Sequence, residues 1–260
     1  MLKNPRHEIT VLGSGTSTGI PVITCKCDVC VSSEPKDKRL RASIMIEIAG
    51  KTIVIDTGPD FRAQMLNAQV KDLDAILFTH SHKDHVGGLD DVRPFNYFNN
   101  KSIPIYAEDY VIAALEREMP YAFNKKDPYP GVPKLEINTI SNKVFEIFGI
   151  PIIPIRAMHS KMPVLGFRIG NFTYLTDAGS IEEIEIEKIK GTQVFVINGI
   201  QWAPHYSHFN VEQAIEIINK VNPKIAYLTH ISHKLGMHKV VEAQLPENIR
   251  LAYDGLQIEI

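Results

Sequence analysis

The sequence predicts an α/β sandwich: two β-sheets packed face to face with helices outside. Three observations predict it. The chain has 260 residues, 44% of them hydrophobic, enough to bury the core of a single α/β domain. Short apolar, β-branched runs alternate with helix-period stretches along both halves, a pattern that layers helices over sheets. Four of those runs also deliver a histidine or aspartate at their carboxyl end. Ligand-type residues in that position mark the edge of a sheet that carries a site.

Taken in order, residues 8–12 (E-I-T-V-L) read as the first strand. It runs into Gly13-Ser14-Gly15-Thr16-Ser17-Thr18-Gly19. That loop is not a dinucleotide-binding fingerprint, because its third glycine comes one position late and Pro21 follows where a helix should open. Residues 43–48 and 52–56 form a hairpin turning at Ala49-Gly50-Lys51, and 60–68 fit a short helix. Residues 73–79 (L-D-A-I-L-F-T) are apolar and β-branched, a buried strand. A strand at 103–107 and a helix at 110–118 come next. Four short strands are expected between 135 and 156, then a hairpin turning at Gly170-Asn171. Residues 180–190 are predicted as a helix, 194–199 as a strand and 211–221 as a helix. The last helix has an apolar stripe of Val211, Ala214, Ile215, Ile218 and Val221, with Asn210 and Gln213 as a capping box. Residues 225–229 are again a strand. The stretch 95–133 is aromatic-rich and punctuated by Pro104, Pro120, Pro128, Pro130 and Pro133. It reads as an inserted flap beside the site, within one domain spanning 1–260.

The strand at 73–79 ends in Thr79 and opens onto His80-Ser81-His82-Lys83-Asp84-His85. In an extended chain His80 and His82 point the same way, because side chains alternate with period two. They can grip one cation together, and Asp84 and His85 can turn towards a second as the chain bends. A solvated run of surface histidines is the plainer alternative. It does not explain why 152–158, 172–176 and 225–229 deliver His159, Asp177 and His230. Ligands at strand ends are held stiffly, as a precise two-metal site requires. Neutral imidazoles with carboxylates suit zinc and accept manganese or iron.

The pattern T-H-x-H-x-D-H with a later His, Asp and His resembles the metallo-β-lactamase superfamily over nearly the whole chain. The resemblance implies a four-layer αββα sandwich. It implies that His80, His82 and His159 hold one divalent metal, that Asp84, His85 and His230 hold a second, and that Asp177 bridges the two. Antibiotic-cleaving members are exported and look to carry a cysteine near the role of Asp177; this chain shows neither feature. Redox di-iron members resemble H-x-E-x-D-H, where this chain has His82, and a nitrogen-rich site favours hydrolysis over oxygen chemistry. Asp56, in I-D-T-G-P-D, stands either behind the ligands, accepting a histidine N–H, or as a strand-end cap. His208, in H-Y-S-H-F-N-V-E-Q-A, matches a histidine that protonates the leaving alkoxide in the superfamily's phosphodiesterases. Imidazole suits that work because it titrates near neutral pH. His205 is its local competitor, and a helix-capping or merely buried His208 is the plainer alternative. Arg93, in G-L-D-D-V-R-P-F, either reaches a phosphate or carboxylate bidentately or pairs with Asp90 or Asp91.

All three cysteines sit in Cys25-Lys26-Cys27-Asp28-Val29-Cys30. Three thiols in a reducing compartment make no disulfide framework, so metal ligation is the first alternative. Closed tetrahedral zinc needs a fourth ligand, and His233, in T-H-I-S-H just past His230, is the candidate. Buried thiols acting as small hydrophobes are the other reading, but Thr24, Lys26 and Asp28 make the neighbourhood polar. The combination resembles the branch of phosphoribosyl cyclic phosphate phosphodiesterase and pyrroloquinoline quinone synthesis protein B, both of which look to carry a structural zinc made this way. The stretch from Asp56 to Arg62 leans towards the quinone-cofactor side. His7, His205 and His238 receive no metal role.

Residues and resemblance lead to one expected enzyme, a binuclear hydrolase acting on a small, cyclic phosphodiester. A metal-bridging hydroxide attacks phosphorus, Asp84 orients it and His208 protonates the departing oxygen. Two catalytic zinc or manganese ions and one structural zinc are expected. An RNA-processing nuclease and a cofactor-biosynthesis or redox member are the alternatives. The net charge of −2 argues against a stable grip on a long polyanion, so nucleic acid is not the expected partner. No apolar run approaches membrane-spanning length, and M-L-K-N-P-R-H lacks a signal-peptide core. A soluble, cytoplasmic protein is expected, and a homodimer by superfamily habit.

Overall fold

The computed structural model describes residues 8–123 and 131–260. In chain order its strands are β1 Glu8–Gly13, β2 Ser43–Ile48, β3 Lys51–Ile55, β4 Ala75–Leu77, β5 Ile103–Ala107, β6 Leu135–Thr139, β7 Phe145–Ile147 and β8 Ile150–His159. They continue with β9 Met162–Ile169, β10 Phe172–Leu175, β11 Ser180–Ile181, β12 Val194–Asn198, β13 Ile225–Thr229, β14 Ile249–Leu251 and β15 Gln257–Glu259. One sheet runs β15-β1-β2-β3-β4-β5-β6. The other runs β11-β8-β9-β10-β12-β13-β14, with β7 added beside β8.

Side-chain alternation stacks these sheets into four layers. On β3, Ile53 and Ile55 join a core with Phe167, Tyr174 and Val196 of the second sheet. Val54, between them, joins Phe61, Met65 and Leu115, which come from helices. On β12, Val194 and Val196 belong to the inter-sheet core, whereas Phe195 and Ile197 pack with Val211, Ala214 and Ile218. Helix, sheet, sheet, helix is the predicted order. The helix Val211–Val221 buries Val211, Ala214, Ile217, Ile218 and Val221, so Ile217 takes a place that the predicted stripe gave to Ile215. Its capping box closes in both directions, Gln213 N donating to Asn210 Oδ1 at 2.9 Å and Asn210 N to Gln213 Oε1 at 3.0 Å. Such a cap contributes about 1 kcal/mol.

Three expectations need correction. Residues 135–156 enter three strands, not four, because β8 runs unbroken through Pro151 and Pro154. Pro154 falls in the stretch 153–156, which pairs with β9 alone, where a missing N–H is tolerated. Residues 180–190 are not one helix: Ser180 and Ile181 pair with Met158 and Ala157, and the helix is Glu183–Ile189. The described part of the supposed flap, through Phe123, belongs to the scaffold. Ile103, Ile105 and Ala107 are fully buried in β5, which lies between β4 and β6, and Val111 and Leu115 pack beneath it. Pro128 and Pro130 fall outside the described residues. Among the described residues no helix is long and apolar enough to cross a membrane.

Glu185 fastens the helix Glu183–Ile189 to β8. It accepts from Arg156 N at 2.8 Å, from Asn142 Nδ2 at 2.8 Å and from Lys188 Nζ at 2.9 Å. Burial pushes its carboxyl up, but Lys188 and the two other donors hold it below its ordinary value. A depressed folded-state pKa gives stability that is present above the unfolded value, about 4.3, and lost as pH falls through the folded one. Urea titrations should show wild type losing stability below about pH 4, with a shallower loss in Glu185→Gln. Identical pH profiles would remove Glu185 from the account.

Candidate metal centre

The chain leaves β4 at Leu77, bends at Thr79 on its way to His80, and is extended at His82 (φ −64, ψ 148). The short helix Lys83–Val86 bends it immediately after His82, carrying Asp84 and His85 to the far side of the site. His159 closes β8, Asp177 lies two residues past β10, and His230 follows β13 directly. Asp56 (φ 65), Asp177 (φ 56) and His230 (φ 55) all adopt the left-handed backbone conformation. That conformation is uncommon for residues other than glycine and clusters at functional sites. Here it turns the chain sharply at three strand ends.

Asp177 occupies the centre. Its Oδ1 is 3.4 Å from His85 Nε2 and 3.2 Å from His230 Nε2. Its Oδ2 is 3.9 Å from His80 Nε2 and 3.2 Å from His208 Nε2. Asp84 Oδ2 stands on the first side, 3.3 Å from His85 Nε2 and 3.8 Å from His230 Nε2. His80, His82 and His159 gather on the other, with centroid separations of 4.7 Å (His80–His82), 5.0 Å (His82–His159) and 5.9 Å (His80–His159). Two donor groups result, Asp84–His85–Asp177–His230 and His80–His82–Asp177, each with ligand atoms within 4.8 Å of one another. A third grouping, His159–Asp177–His208, overlaps them.

Hydrogen bonds behind the ligands set their orientation. Asp56 accepts from Thr79 N at 2.9 Å, Thr79 Oγ1 at 2.8 Å and His85 Nδ1 at 2.7 Å. His80 Nδ1 donates to Thr79 Oγ1 at 2.9 Å and His159 Nδ1 to the Ser207 carbonyl at 3.0 Å. Protonating Nδ1 in this way leaves Nε2 as the free lone pair. Asp56 thus both receives a histidine N–H and caps the backbone beyond β4. His80 Nε2, His85 Nε2 and both ring nitrogens of His230 are buried without a hydrogen-bond partner. Buried polar atoms left unpaired cost about 1–3 kcal/mol each. Several nitrogens converging on carboxylate oxygens fit divalent cations such as zinc.

Charge points the same way. Burial holds His80 well below the ordinary imidazole range, and the neighbouring His85 adds to this. Burial also presses His85 down, but Asp177, Asp56 and Asp84 overcome it and lift His85 well above that range. Burial raises Asp177, yet His230 and His85 keep it well below the usual carboxylate range. Three carboxylates around one imidazole are an excess of negative charge that a cation offsets.

Backbone contact fixes the ligand loop. A Cβ on Gly58 would lie 2.1 Å from the Asp84 carbonyl oxygen, and one on Gly88 2.1 Å from that of Gly58. Thr57 N donates to the His85 carbonyl at 2.7 Å. The D-T-G-P turn after β3 is therefore the seat of Asp84 and His85.

The cysteines meet His233. Its Nδ1 is 3.3 Å from Cys25 Sγ, 3.4 Å from Cys27 Sγ and 3.6 Å from Cys30 Sγ, a donor set that fits closed tetrahedral zinc. The Cys30 backbone N–H and His233 draw the Cys27 thiol down to about 6, whereas burial pushes Cys30 up to about 11. Cys27→Ser should lower metal content by about one ion per chain and reduce thermal stability, because structural zinc binding is folding free energy. Elemental analysis with a melting curve checks this; an unchanged metal count would refute a Cys₃His site.

Arg93 is not brought to the site. Its Nε donates to the Asp90 carbonyl at 3.0 Å and its guanidinium pairs with the Asp90 carboxylate, as the onset of the helix Arg93–Asn99 dictates. His238 takes part in a separate buried network with Arg39, 3.0 Å away, and His7 lies outside the described residues. The cavity over the donor groups measures about 460 Å³ and is walled by Thr16, Ser17, Thr18, Gln201, Tyr206 and Lys234 beside the histidines. None of those six was singled out as a site residue. The glycine-rich loop was the available signal: Thr16 N donates to the Ile231 carbonyl and Ile231 N to that of Ser14, which seats this loop against the segment bearing His230 and His233.

A family model for a beta-lactamase superfamily domain matches residues 51–231. An octanoyltransferase of Porphyromonas gingivalis is 41% identical over 250 residues, which cover 95% of this chain but 50% of that protein. The chain therefore spans about half the length of this curated relative. The crystal structure of a new diphosphatase from the PhnP family superposes with a TM-score of 0.92 at 39% identity, covering 98% of this chain and 97% of that one. Zinc-bound PqqB from Methylobacterium extorquens shares the fold, with a TM-score of 0.76 at 18% identity over 97% of this chain and 100% of that one.

Proposed function

The chain belongs to the β-lactamase superfamily, and from that premise we propose that it hydrolyses a small, cyclic phosphodiester with two divalent cations, zinc or manganese. His80, His82, His159 and Asp177 would hold one cation; Asp84, His85, His230 and Asp177 would hold the other. A structural zinc would sit on Cys25, Cys27, Cys30 and His233. When bound, a pair of cations supplies a nucleophile at neutral pH and offsets charge on the phosphoryl oxygens. The remaining work falls to side chains. Asp84 Oδ2 accepts a hydrogen bond from the attacking water and orients it. His208 delivers a proton from Nε2 to the departing oxygen, while its Nδ1 is steadied by Ser207 Oγ at 3.0 Å and His205 Nδ1 at 3.1 Å. Lys234 and the hydroxyls of Ser17 and Thr18 offer the substrate its polar wall.

One observation carries most of this: the two oxygens of Asp177 face separate sets of imidazoles. The cavity volume is that of a small-molecule site. Lys234 is the one lysine or arginine among its lining residues, which disfavours tracking an RNA backbone. This chain matches only half of the Porphyromonas protein, so octanoyl transfer is not carried over to it.

The test is a metal-loaded screen against ribosyl cyclic phosphates, cyclic nucleotides, linear diesters and diphosphates. Turnover of a cyclic diester, lost in Asp84→Ala with folding intact, is the expected result. Turnover of diphosphates alone would reassign the substrate. Inactivity across the whole panel would overturn the hydrolase.

A further inference from the structure

Tyr206 is 86% exposed at the rim of the cavity. A single exposed aromatic residue is ordinary, but this one is held in place. Its ring lies over the imidazole of His205, with centroids 4.8 Å apart and planes 28° from parallel. His205 is fixed in turn, its Nδ1 3.1 Å from His208 Nδ1 and accepting from Ser207 N at 3.4 Å. The His205 and His208 rings meet edge to face at 4.9 Å. Three rings therefore step from the floor of the site, where His208 touches Asp177, to its mouth, where Tyr206 presents an open π-face.

Resting on the hydrolase reading above, we propose that Tyr206, backed by His205, is a stacking platform for the purine or pyrimidine ring of the substrate, which makes that substrate a nucleoside phosphodiester rather than a bare sugar phosphate. The rings of His208, His205 and Tyr206 follow one another at centroid steps of 4.9 and 4.8 Å and line one cavity, so one ligand can place a phosphate near His208 and a planar ring on Tyr206. Ser17 and Thr18, both exposed on the wall of the same cavity, offer hydroxyls to the sugar, and Lys234 offers a cation to the phosphate. A tyrosine suits such a platform because it freezes few torsions on binding. Stacking is also tolerant of base identity, since every base has a π-face, so the platform selects for a base without choosing which.

The test compares equilibrium binding of AMP and of ribose 5-phosphate to the protein as purified, by calorimetry. Wild type should bind AMP about tenfold more tightly or better, the range expected for one base on one aromatic ring. Tyr206→Ala should bring the two ligands to within about twofold of each other, and Tyr206→Phe should keep the preference. Because Tyr206 is exposed, neither variant threatens folding, which a melting curve verifies. Equal affinities in wild type, an undiminished preference in Tyr206→Ala, or no AMP binding at millimolar concentration would each overturn the platform. Diester turnover is read separately: a platform that fails while diesters are hydrolysed leaves the hydrolase standing. A base preference with no diester turnover would sink the hydrolase and not the platform.

Discussion

Asp177→Asn should cut turnover by well over about 100-fold and lower the number of cations held at the cavity floor. The geometry sets the size of the effect. Oδ1 serves the His85–His230 side and Oδ2 the His80 side, so whichever way an amide settles, one side loses an anionic oxygen and faces an N–H donor. Removing a group that merely supports a metal ligand costs about 10–100-fold in affinity or activity; a ligand shared by two cations should cost more. Stability should follow, since cations bound only by the folded chain stabilise it by mass action. The variant should therefore melt lower than wild type when both are metal-loaded, and the gap should shrink in chelator. Elemental analysis, turnover and a pair of melting curves decide it. Two cations retained at the floor with turnover near wild type would show that Asp177 is not the shared ligand.

The donor groups were legible because the signals are local. A buried β-branched strand followed by T-H-S-H-K-D-H fixes four side chains by alternation and a bend. His159, Asp177 and His230 each follow a strand that its own residues announce. The four layers were legible for a related reason: alternation on β3 and β12 assigns each apolar residue to one face or the other. What lay hidden depends on partners distant in the chain. Residues 103–107 read correctly as a strand, but only their pairing with β4 and β6 shows that they belong inside a sheet rather than in a flap. Pro151 and Pro154 look like breaks until the one-sided pairing of β8 explains them. Arg93 sits near the ligand loop in sequence, yet three residues are the spacing of a helical turn, and Asp90 takes it. The left-handed turns at Asp56, Asp177 and His230 leave only a weak composition signal: aspartate and histidine are enriched in that conformation among residues other than glycine, but most of them in any chain lie elsewhere. The loop from Gly13 to Gly19 failed one test, as a phosphate cradle. Its glycines answer another need: a Cβ on Gly15 would meet the Arg39 Cβ at 2.9 Å, so the loop can lie close enough to wall the cavity.

His208→Ala should separate leaving groups by their need for a proton. With a ribose or alkyl alkoxide departing, the loss should be about 10²–10⁴-fold, the usual worth of a positioned general acid. With a p-nitrophenolate departing the loss should be far smaller, because that anion leaves unprotonated. Two other roles for His208 compete. Its Nε2 lies 3.2 Å from Asp177 Oδ2, and His159, Asp177 and His208 together have metal-ligand spacing, so His208 is also placed to hold a cation. It is buried as well, and its Nδ1 meets Ser207 and His205, so it is placed to stabilise the fold. A ligand role would lower metal content and slow both leaving groups alike. A structural role would lower the melting temperature and slow both alike. Only proton delivery leaves metal content and melting temperature near wild type while slowing the alkoxide selectively. Equal loss for the two leaving groups would therefore take the proton away from His208 and leave the two divalent-cation groups to be judged on their own.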